Sequence, residues 1–196
     1  MKYQSTLLAV TNMERSKAFY CGLLGREIVA DFGANVTLSG GITLQTLDTW
    51  KGFLNTQKVT LPNNGGELYF ETEDMDAFLP QLDRWQVQFV HRLKEHRWGQ
   101  RVVRFYDPDG HIIEVAEGLE QVAKRFLAQG MTPEQVAQRM DVPIQTLDLN
   151  GSKNGESKGS LRFLLSEAAH ISRRPSRARM RVASSAYSRW LPTGMP

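Results

Sequence analysis

The feature that most constrains the fold is a short motif that occurs twice. Asn12-Met13-Glu14 and Asp74-Met75-Asp76 each combine a capping residue with the start of an amphipathic helix, and they lie 62 residues apart. Asn and Asp favour the N-cap because their side-chain oxygen accepts a hydrogen bond from an unpaired backbone N–H of the first turn. Each motif follows one strand pattern and precedes three more. The repeat therefore predicts two copies of a βαβββ module rather than a solenoid, which needs at least three repeats.

Alternating apolar residues and turn residues place the individual elements. The first module is predicted to have strands at 4–10, 26–32, 35–39 and 41–47 and a helix at 13–24. The second has strands at 67–72, 87–91, 100–106 and 111–116 and a helix at 74–85, in which Pro80 is expected to cause a kink or an early end. Residues 48–65 are predicted to be a loop. This order predicts an α+β domain at 1–118, with modules at about 1–60 and 61–118.

The C-terminal third has a different character. Residues 119–149 predict a helical extension, with Thr132 to Gln135 as a capping box. Its helices resemble a helix-turn-helix, but Pro143–Leu149 contains no Lys or Arg, which argues against binding to nucleic acid. Residues 150–196 are rich in Gly, Ser and Arg and predict a disordered basic tail.

Charge and cysteine content narrow the class of protein further. The net charge of +3 conceals +7 in residues 151–196 and −4 in residues 1–150, so the predicted domain is mildly acidic. No run of apolar residues reaches the ~18 that a membrane span needs, so no membrane association is expected. The single cysteine, Cys21, cannot form an intrachain disulfide, which is typical of a reducing cytoplasm.

Two segments of residues 1–118 point to a known family. The first is Asn12-Met13-Glu14-Arg15-Ser16, followed by Ala18-Phe19-Tyr20 and Leu23-Leu24-Gly25; the second runs from Arg104 to Glu114 through Asp107-Pro108-Asp109-Gly110. Together with the βαβββ pattern, they resemble the vicinal-oxygen-chelate superfamily of glyoxalases, bleomycin-resistance proteins and extradiol dioxygenases. The resemblance implies two sheets that curl around a small-molecule cleft, usually within a homodimer.

The resemblance also implies where a metal would bind. Metal-dependent members carry two His or Gln and two Glu on the first and last strands of the modules, and the matching positions here are Ser5, Gln45, Glu67 and Glu114. Thr43 and Leu47 point the same way as Gln45, so that register stays open. A serine hydroxyl replaces imidazole poorly, although two carboxylates and an amide could hold Mg or Mn weakly. We expect no strong metal site and no required cofactor, with a divalent metal as the alternative.

None of the four histidines restores the expected ligand set. His91 and His96 lie five residues apart around a strand end, which is not a paired ligand spacing, and His111 is out of phase with Glu114 on the last strand. His170 belongs to the basic tail. We expect each to be an ordinary surface or half-buried histidine.

The turn at Asp107–His111 predicts the register of the last two strands. A type I turn with Gly110 in a left-handed bulge makes a three-residue hairpin loop and pairs Arg104 with Glu114. Arg104 is therefore either an anchor for an anionic ligand or half of an ion pair that fixes the register. The same face is expected to show several further side chains: Leu7, Ala9, Tyr69, Glu71, Val102 and Tyr106.

Candidate site residues follow from this face. Glu67 and Glu114 are the candidate catalytic groups, since converging carboxylates repel and one of them could act as a general base. The candidate substrate-binding residues are Arg104, Tyr69, Tyr106, Leu7 and Trp98. Trp98 is interpreted either as an aromatic lid over the cleft or as ordinary packing.

Three functions are compatible with these residues. The first is a protein that binds a small organic molecule in the cleft without a strong metal, in the manner of a bleomycin-resistance protein. The second is a metal-dependent lyase or isomerase of the lactoylglutathione-lyase type, in which a metal polarises the substrate and a carboxylate moves a proton. The third is a ligand-sensing regulator that uses the C-terminal helices. Fold alone does not distinguish them.

Overall fold

The computed structural model describes residues 1–62, 64–148 and 162–163. These residues divide into two compact units, the first comprising Met1–Val122 and the second beginning at Ala123. The predicted tail at 150–196 lies outside the described residues except for Arg162–Phe163, which pairs antiparallel with Leu147–Asp148.

The first module is a four-stranded mixed sheet with one helix. Its elements are β1 (Thr6–Val10), α1 (Met13–Gly22), β2 (Ile28–Asp31), β3 (Asn35–Leu38) and β4 (Ile42–Thr46). The strand order is β1-β4-β3-β2, with β1 parallel to β4 and the other pairs antiparallel. The prediction of a loop after this module was wrong in part, because α2 (Leu47–Phe53) begins directly after β4. With seven residues, α2 is too short to give a clear helical period.

The second module repeats this topology. Its elements are β5 (Glu67–Thr72), α3 (Met75–Arg84), β6 (Phe89–Glu95), β7 (Arg101–Tyr106) and β8 (Ile112–Glu117). The strand order is β5-β8-β7-β6, and β5 pairs with β8 in parallel. Pro80 lies inside α3, which nevertheless continues to Arg84. The predicted α+β class and the paired βαβββ modules are confirmed as two open, four-stranded sheets.

The two helix caps are equivalent, as the sequence repeat predicts. The Asn12 side chain accepts a hydrogen bond from the Arg15 backbone N–H at 3.0 Å, and Asp74 accepts one from Ala77 at 2.8 Å. Each cap pairs one N–H that the first helical turn leaves without a partner. The repeated motif therefore fixes the start of both helices by the same contact.

Each sheet has two chemically different faces. One face packs on α1 and α3 and forms the core, with Leu44 and Val36 from the first sheet and Phe105, Ile113 and Val115 from the second. The residues that alternate with these core residues along each strand point to the opposite face of the sheet, because successive side chains of a strand alternate between the two faces. We call this second face the cleft face; it carries Leu7, Ala9, Thr43, Gln45, Glu67, Tyr69, Glu71, Val102, Arg104, Tyr106, Ile112, Glu114 and Ala116.

The turn between β7 and β8 joins the two modules. The Asp109 carboxylate, which is nearly buried, accepts hydrogen bonds from the Thr11 backbone and hydroxyl, from Arg15 at 3.0 Å and from Ser16 at 3.3 Å. Asp107 accepts a hydrogen bond from the buried Tyr20 hydroxyl at 2.8 Å. Two carboxylates of the second module thus hold the end of β1 and the start of α1.

The second unit contains most of α4 (Leu119–Ala128) and all of α5 (Pro133–Met140). The capping box predicted at α5 is confirmed, because Thr132 and Gln135 exchange side-chain and backbone hydrogen bonds. Arg125 and Arg139 both lie against the ring of Phe126, at 4.9 and 5.7 Å from its centre. Across the described part of the chain, no helix has the length and apolar character needed to cross a bilayer.

The Asp109 junction gives a stability prediction. Asp109→Ala leaves the Thr11 N–H without its acceptor and Arg15 without its counter-ion, while the buried Ser16 hydroxyl keeps only its bond to the Asn12 carbonyl. We expect a loss of about 1–3 kcal/mol in the free energy of unfolding, the cost of leaving a buried donor without a partner. Urea unfolding monitored by circular dichroism measures it. The control is Asp83→Ala, which removes an exposed pair with Arg92 at 3.4 Å and should cost less than about 1 kcal/mol; equal losses would contradict the junction's role.

Asp107 gives a pH prediction with a definite sign. Burial by itself raises the pKa of Asp107, but the hydrogen bonds and charge of His111 outweigh it and hold the pKa below its ordinary value. The stabilisation is therefore present above about pH 4, where an unfolded Asp ionises, and is lost as the pH falls through the lower folded-state value. Urea unfolding across acid pH should show a smaller pH dependence for Asp107→Asn than for the unchanged chain. If the free energy of unfolding depends on pH equally in both proteins, Asp107 does not contribute to the pH dependence of stability.

Candidate functional site

The cleft face of the second module concentrates the charged side chains. Glu67 begins β5, Glu114 is central in β8 and Arg104 is central in β7. The predicted pairing of Arg104 with Glu114 is confirmed by the register of β7 and β8. Because β8 lies between β5 and β7, the strand order also brings Glu67 within reach of Arg104.

The Arg104 guanidinium lies between the two carboxylates. Its Nε donates to Oε2 of Glu67 at 2.8 Å, and Nη2 donates to Oε1 of Glu67 at 3.4 Å and to Oε2 of Glu114. The Glu114 side chain is 6% exposed, whereas those of Glu67 and Arg104 are 30% and 26% exposed. One guanidinium thus compensates a buried carboxylate and a half-exposed one.

His91 completes the contacts of Arg104. Nη1 of Arg104 lies 3.2 Å from Nε2 of His91 and must be the donor, because a guanidinium cannot accept. The other ring nitrogen, Nδ1, lies 2.8 Å from the Arg92 carbonyl and donates to it. Sequence reasoning treated His91 as an ordinary histidine and missed this contact. Two irregularities in the pairing of β6 with β7 flank His91 and place it opposite Arg104.

A second network lies beside this cluster on the same face. The Tyr69 hydroxyl donates to Glu71 at 2.7 Å and accepts from Gln100 at 3.3 Å. Gln100 in turn accepts from the Trp98 indole at 3.1 Å. Trp98 stacks on His96 with ring centres 4.3 Å apart. Burial lowers the pKa of His96, and the charges of Arg104 and His91 lower it further. Of the two interpretations of Trp98, packing is the one that these contacts match.

The remaining predicted site residues lie apart from the charged cluster. Leu7 is 37% exposed on β1, and Tyr106, at the end of β7, lines a pocket of about 490 Å³ with Arg15 and Gln88. Ser5 precedes β1 and accepts a hydrogen bond from Thr43 at 2.9 Å. Gln45 is buried on β4 and is bonded to Asn35 at 2.7 Å, to the Ala34 carbonyl at 2.9 Å and to Thr49.

These contacts test whether the four implied positions fit a metal. The Gln45 amide uses its oxygen and nitrogen within the first module, and Ser5 is bonded to Thr43. The two glutamates share a guanidinium that already supplies the positive charge. Within the described ranges, no group of three or more His, Cys, Asp or Glu side chains is placed to hold a metal ion. The donor set at these four positions does not fit a tight divalent-metal site.

The Arg104 cluster gives a prediction about stability. Arg104→Ala leaves Glu114 buried without a counter-ion, and we expect a loss of about 3–5 kcal/mol in the free energy of unfolding. Adding Glu114→Gln to Arg104→Ala should recover a large part of this loss, since the unpaired charge is gone. A double-mutant cycle by urea unfolding measures the coupling.

The matched control for this cycle is Arg92→Ala, because Arg92 forms an exposed pair with Asp83 at 3.4 Å. That change should cost less than about 1 kcal/mol. Additive effects of Arg104→Ala and Glu114→Gln would contradict the pairing.

The structure resembles several solved proteins over about 60% of the chain. A protein of unknown function from Agrobacterium tumefaciens is 36% identical, with a TM-score of 0.56 over 60% of this chain and 94% of that chain. A glyoxalase-related enzyme from Fulvimarina pelagi is 20% identical, with a TM-score of 0.52 over 61% of this chain and 90% of that chain. Because the second is under 25% identical, it supports the fold alone.

Comparison with curated proteins gave no match. The family model of the glyoxalase-like domain matches residues 3–120, which include both modules and every candidate site residue named above. The two βαβββ modules, the strand order and the Asp107–Gly110 turn agree with that match. The chain therefore belongs to the glyoxalase-like domain family of the glyoxalase, bleomycin-resistance and dioxygenase superfamily.

Proposed function

We propose that this protein binds a small organic molecule on the cleft face of its second module, without a strong metal site. The observation that carries the proposal is the position of Arg104, which compensates Glu67 and Glu114 beside exposed apolar side chains. A binding site that is mostly apolar and holds a few oriented polar groups is typical for small ligands.

Apolar contact is available next to the charged cluster. Tyr69 pairs directly with Glu114 across β5 and β8 and is 40% exposed, while Leu7, which lies apart from the cluster on β1 of the first sheet, is 37% exposed. The Tyr69 ring is held by its hydrogen bonds to Glu71 and Gln100. An aromatic ring that is already oriented loses little conformational entropy when a ligand stacks on it.

The charges on this face support a neutral or cationic ligand. The three carboxylates of Glu67, Glu71 and Glu114 outnumber the two cations of this face, Arg104 and Lys94, and every guanidinium nitrogen of Arg104 already has a partner. An anionic ligand would have to compete with two carboxylates for Arg104. This arrangement argues against the interpretation of Arg104 as an anion anchor and favours its role as an internal counter-ion.

Of the two candidate catalytic residues, Glu67 and Glu114, the proposal favours one as a proton acceptor. Glu67 is the more exposed of the two and keeps access to the cleft face, whereas Glu114 is 6% exposed and bonded to Arg104. A proton-accepting role therefore suits Glu67 better. A metal-dependent lyase reaction finds no matching donor set among the described residues.

Matched probes of opposite charge test the binding proposal. We expect 2-phenylethylammonium to shift the backbone amide resonances of Leu7, Tyr69 and Glu114 in ¹H–¹⁵N spectra, and phenylacetate to bind at least about fivefold more weakly, the effect of about 1 kcal/mol of charge repulsion. Tyr69→Ala should weaken the cation, while Phe53→Ala, which removes an aromatic side chain that is 69% exposed on α2, should not. Failure of both probes to shift these amides would contradict the proposal, and tighter binding of phenylacetate would restore the anion anchor.

We also propose that the protein is a homodimer and acts in the cytoplasm. The support for a dimer is the exposed apolar surface at the edge strand β2, where Val29 and Phe32 are 67% and 77% exposed. Cys21 is a free, half-buried thiol beside the core, as expected in a reducing compartment. Sedimentation equilibrium should give the mass of two chains, and a monomer at micromolar concentration would contradict the assembly.

A further inference from the structure

A small pocket lies between the two modules, at the edge of the cleft face. Its volume is about 240 Å³, and its lining consists of Thr6, Leu8, Gly66, Glu67, Leu68, His111 and Ile112. Leu8 and Leu68 belong to the helix-facing side of β1 and β5, where they pack against the core. The lining contains neither Tyr69 nor Arg104, although Glu67 and Ile112 also belong to the cleft face.

His111 is held in one orientation at this pocket. Its Nδ1 lies 2.8 Å from Oδ2 of Asp107, and because a carboxylate only accepts, Nδ1 must carry a proton. The Asp107 side chain is fully buried and is itself fixed by Tyr20 and by the backbone N–H groups of Asp109 and His111. When Nδ1 carries the proton of a neutral imidazole, Nε2 is the hydrogen-bond acceptor.

The second ring nitrogen of His111, Nε2, differs from Nδ1 in its contacts. In residues 1–62 and 64–148, no group forms a hydrogen bond with Nε2 of His111. The His111 side chain is 13% exposed, so this acceptor is largely shielded from bulk water. An oriented acceptor in an apolar pocket is the arrangement with which proteins select ligands that carry a donor.

We propose that this pocket is a second binding site, which takes a small neutral molecule with an apolar body and one O–H or N–H donor directed at Nε2 of His111. Leu8, Leu68 and Ile112 provide the apolar wall. An apolar cavity of about 150 Å³ holds one benzene ring, so a pocket of about 240 Å³ has room for a ring with a substituent. The other polar groups of the lining already have partners, since the Thr6 hydroxyl is bonded to Tyr3 and the Glu67 carboxylate to Arg104, so His111 supplies the acceptor that selects a donor on the ligand.

Phenol and anisole form a pair of probes in which methylation removes the donor and adds one methyl group, and the His111→Phe variant separates the two effects. We expect phenol to shift the amide resonances of Gly66, Leu68, His111 and Ile112 in ¹H–¹⁵N spectra of the full chain. Anisole should bind about fivefold more weakly, the scale of one net hydrogen bond. His111→Phe retains a ring but loses the acceptor, and it should weaken phenol by a similar factor without affecting anisole.

A blocking variant keeps the test informative if His111→Phe does not fold. A Cβ added at Gly66 meets no atom within 4 Å, so Gly66→Leu adds a bulky side chain to the pocket lining without a backbone clash. Gly52 on α2 has equally open surroundings, and Gly52→Leu is the matched control. Phenol binding should be lost in Gly66→Leu, retained in Gly52→Leu and retained in Tyr69→Ala, which affects only the cleft face.

Three outcomes would overturn the second site. They are equal binding of phenol and anisole, unchanged phenol binding in Gly66→Leu, and the absence of any phenol-induced shift at the pocket amides. None of them bears on the phenylethylammonium experiment at Leu7 and Tyr69. The proposed function and this second site can therefore fail independently.

Discussion

The turn at Asp107–Gly110 is the constraint on which the rest of the first unit depends. The Asp107 backbone exchanges hydrogen bonds with Gly110 and His111, with Gly110 at a φ of 90°, and this sets the register of β7 and β8. The register in turn places Arg104 opposite Glu114. The two carboxylates of the turn hold α1 and the end of β1 through Tyr20, Ser16 and Thr11. One short loop therefore joins the modules, aligns the charged cluster and orients His111.

The Arg104 cluster brings a positive charge to the two glutamates of the second module. Two nearby carboxylates repel each other and need a positive charge between them. Here that charge is a guanidinium tethered to β7. Unlike a divalent ion with open coordination positions, it is a hydrogen-bond donor that cannot act as a Lewis acid. The second module's cleft face thus holds one guanidinium donor, two carboxylate acceptors and the exposed ring of Tyr69.

The sequence predicted the parts of the structure that depend on local patterns. The caps at Asn12 and Asp74, the strand at Glu67–Thr72 and the pairing of Arg104 with Glu114 follow from capping, alternation and turn geometry. Sequence reasoning missed α2, which is only two turns long, and ended β6 too early, at His91 instead of Glu95. β6 is a polar edge strand whose extent depends on pairing with β7, and its irregular register cannot be seen in its own residues.

The partners of the site residues were harder to predict, because they come from different elements. The bond between Glu67 and Arg104 requires the order β5-β8-β7, and the partners of Gln45 include Thr49 of the unpredicted α2. The orientation of His111 by Asp107 had a local signal, since the two residues close the same turn. The pocket that His111 lines could not be predicted from this turn, because residues of both modules form it.

The central claim is that Arg104, and not a metal ion, compensates Glu67 and Glu114. The most direct test is the metal content of protein purified without chelators, measured by inductively coupled plasma mass spectrometry after incubation with Zn²⁺, Ni²⁺ or Mn²⁺ and gel filtration. The account predicts well under one equivalent of any of these metals. One equivalent per chain that disappears in Glu114→Gln would contradict it.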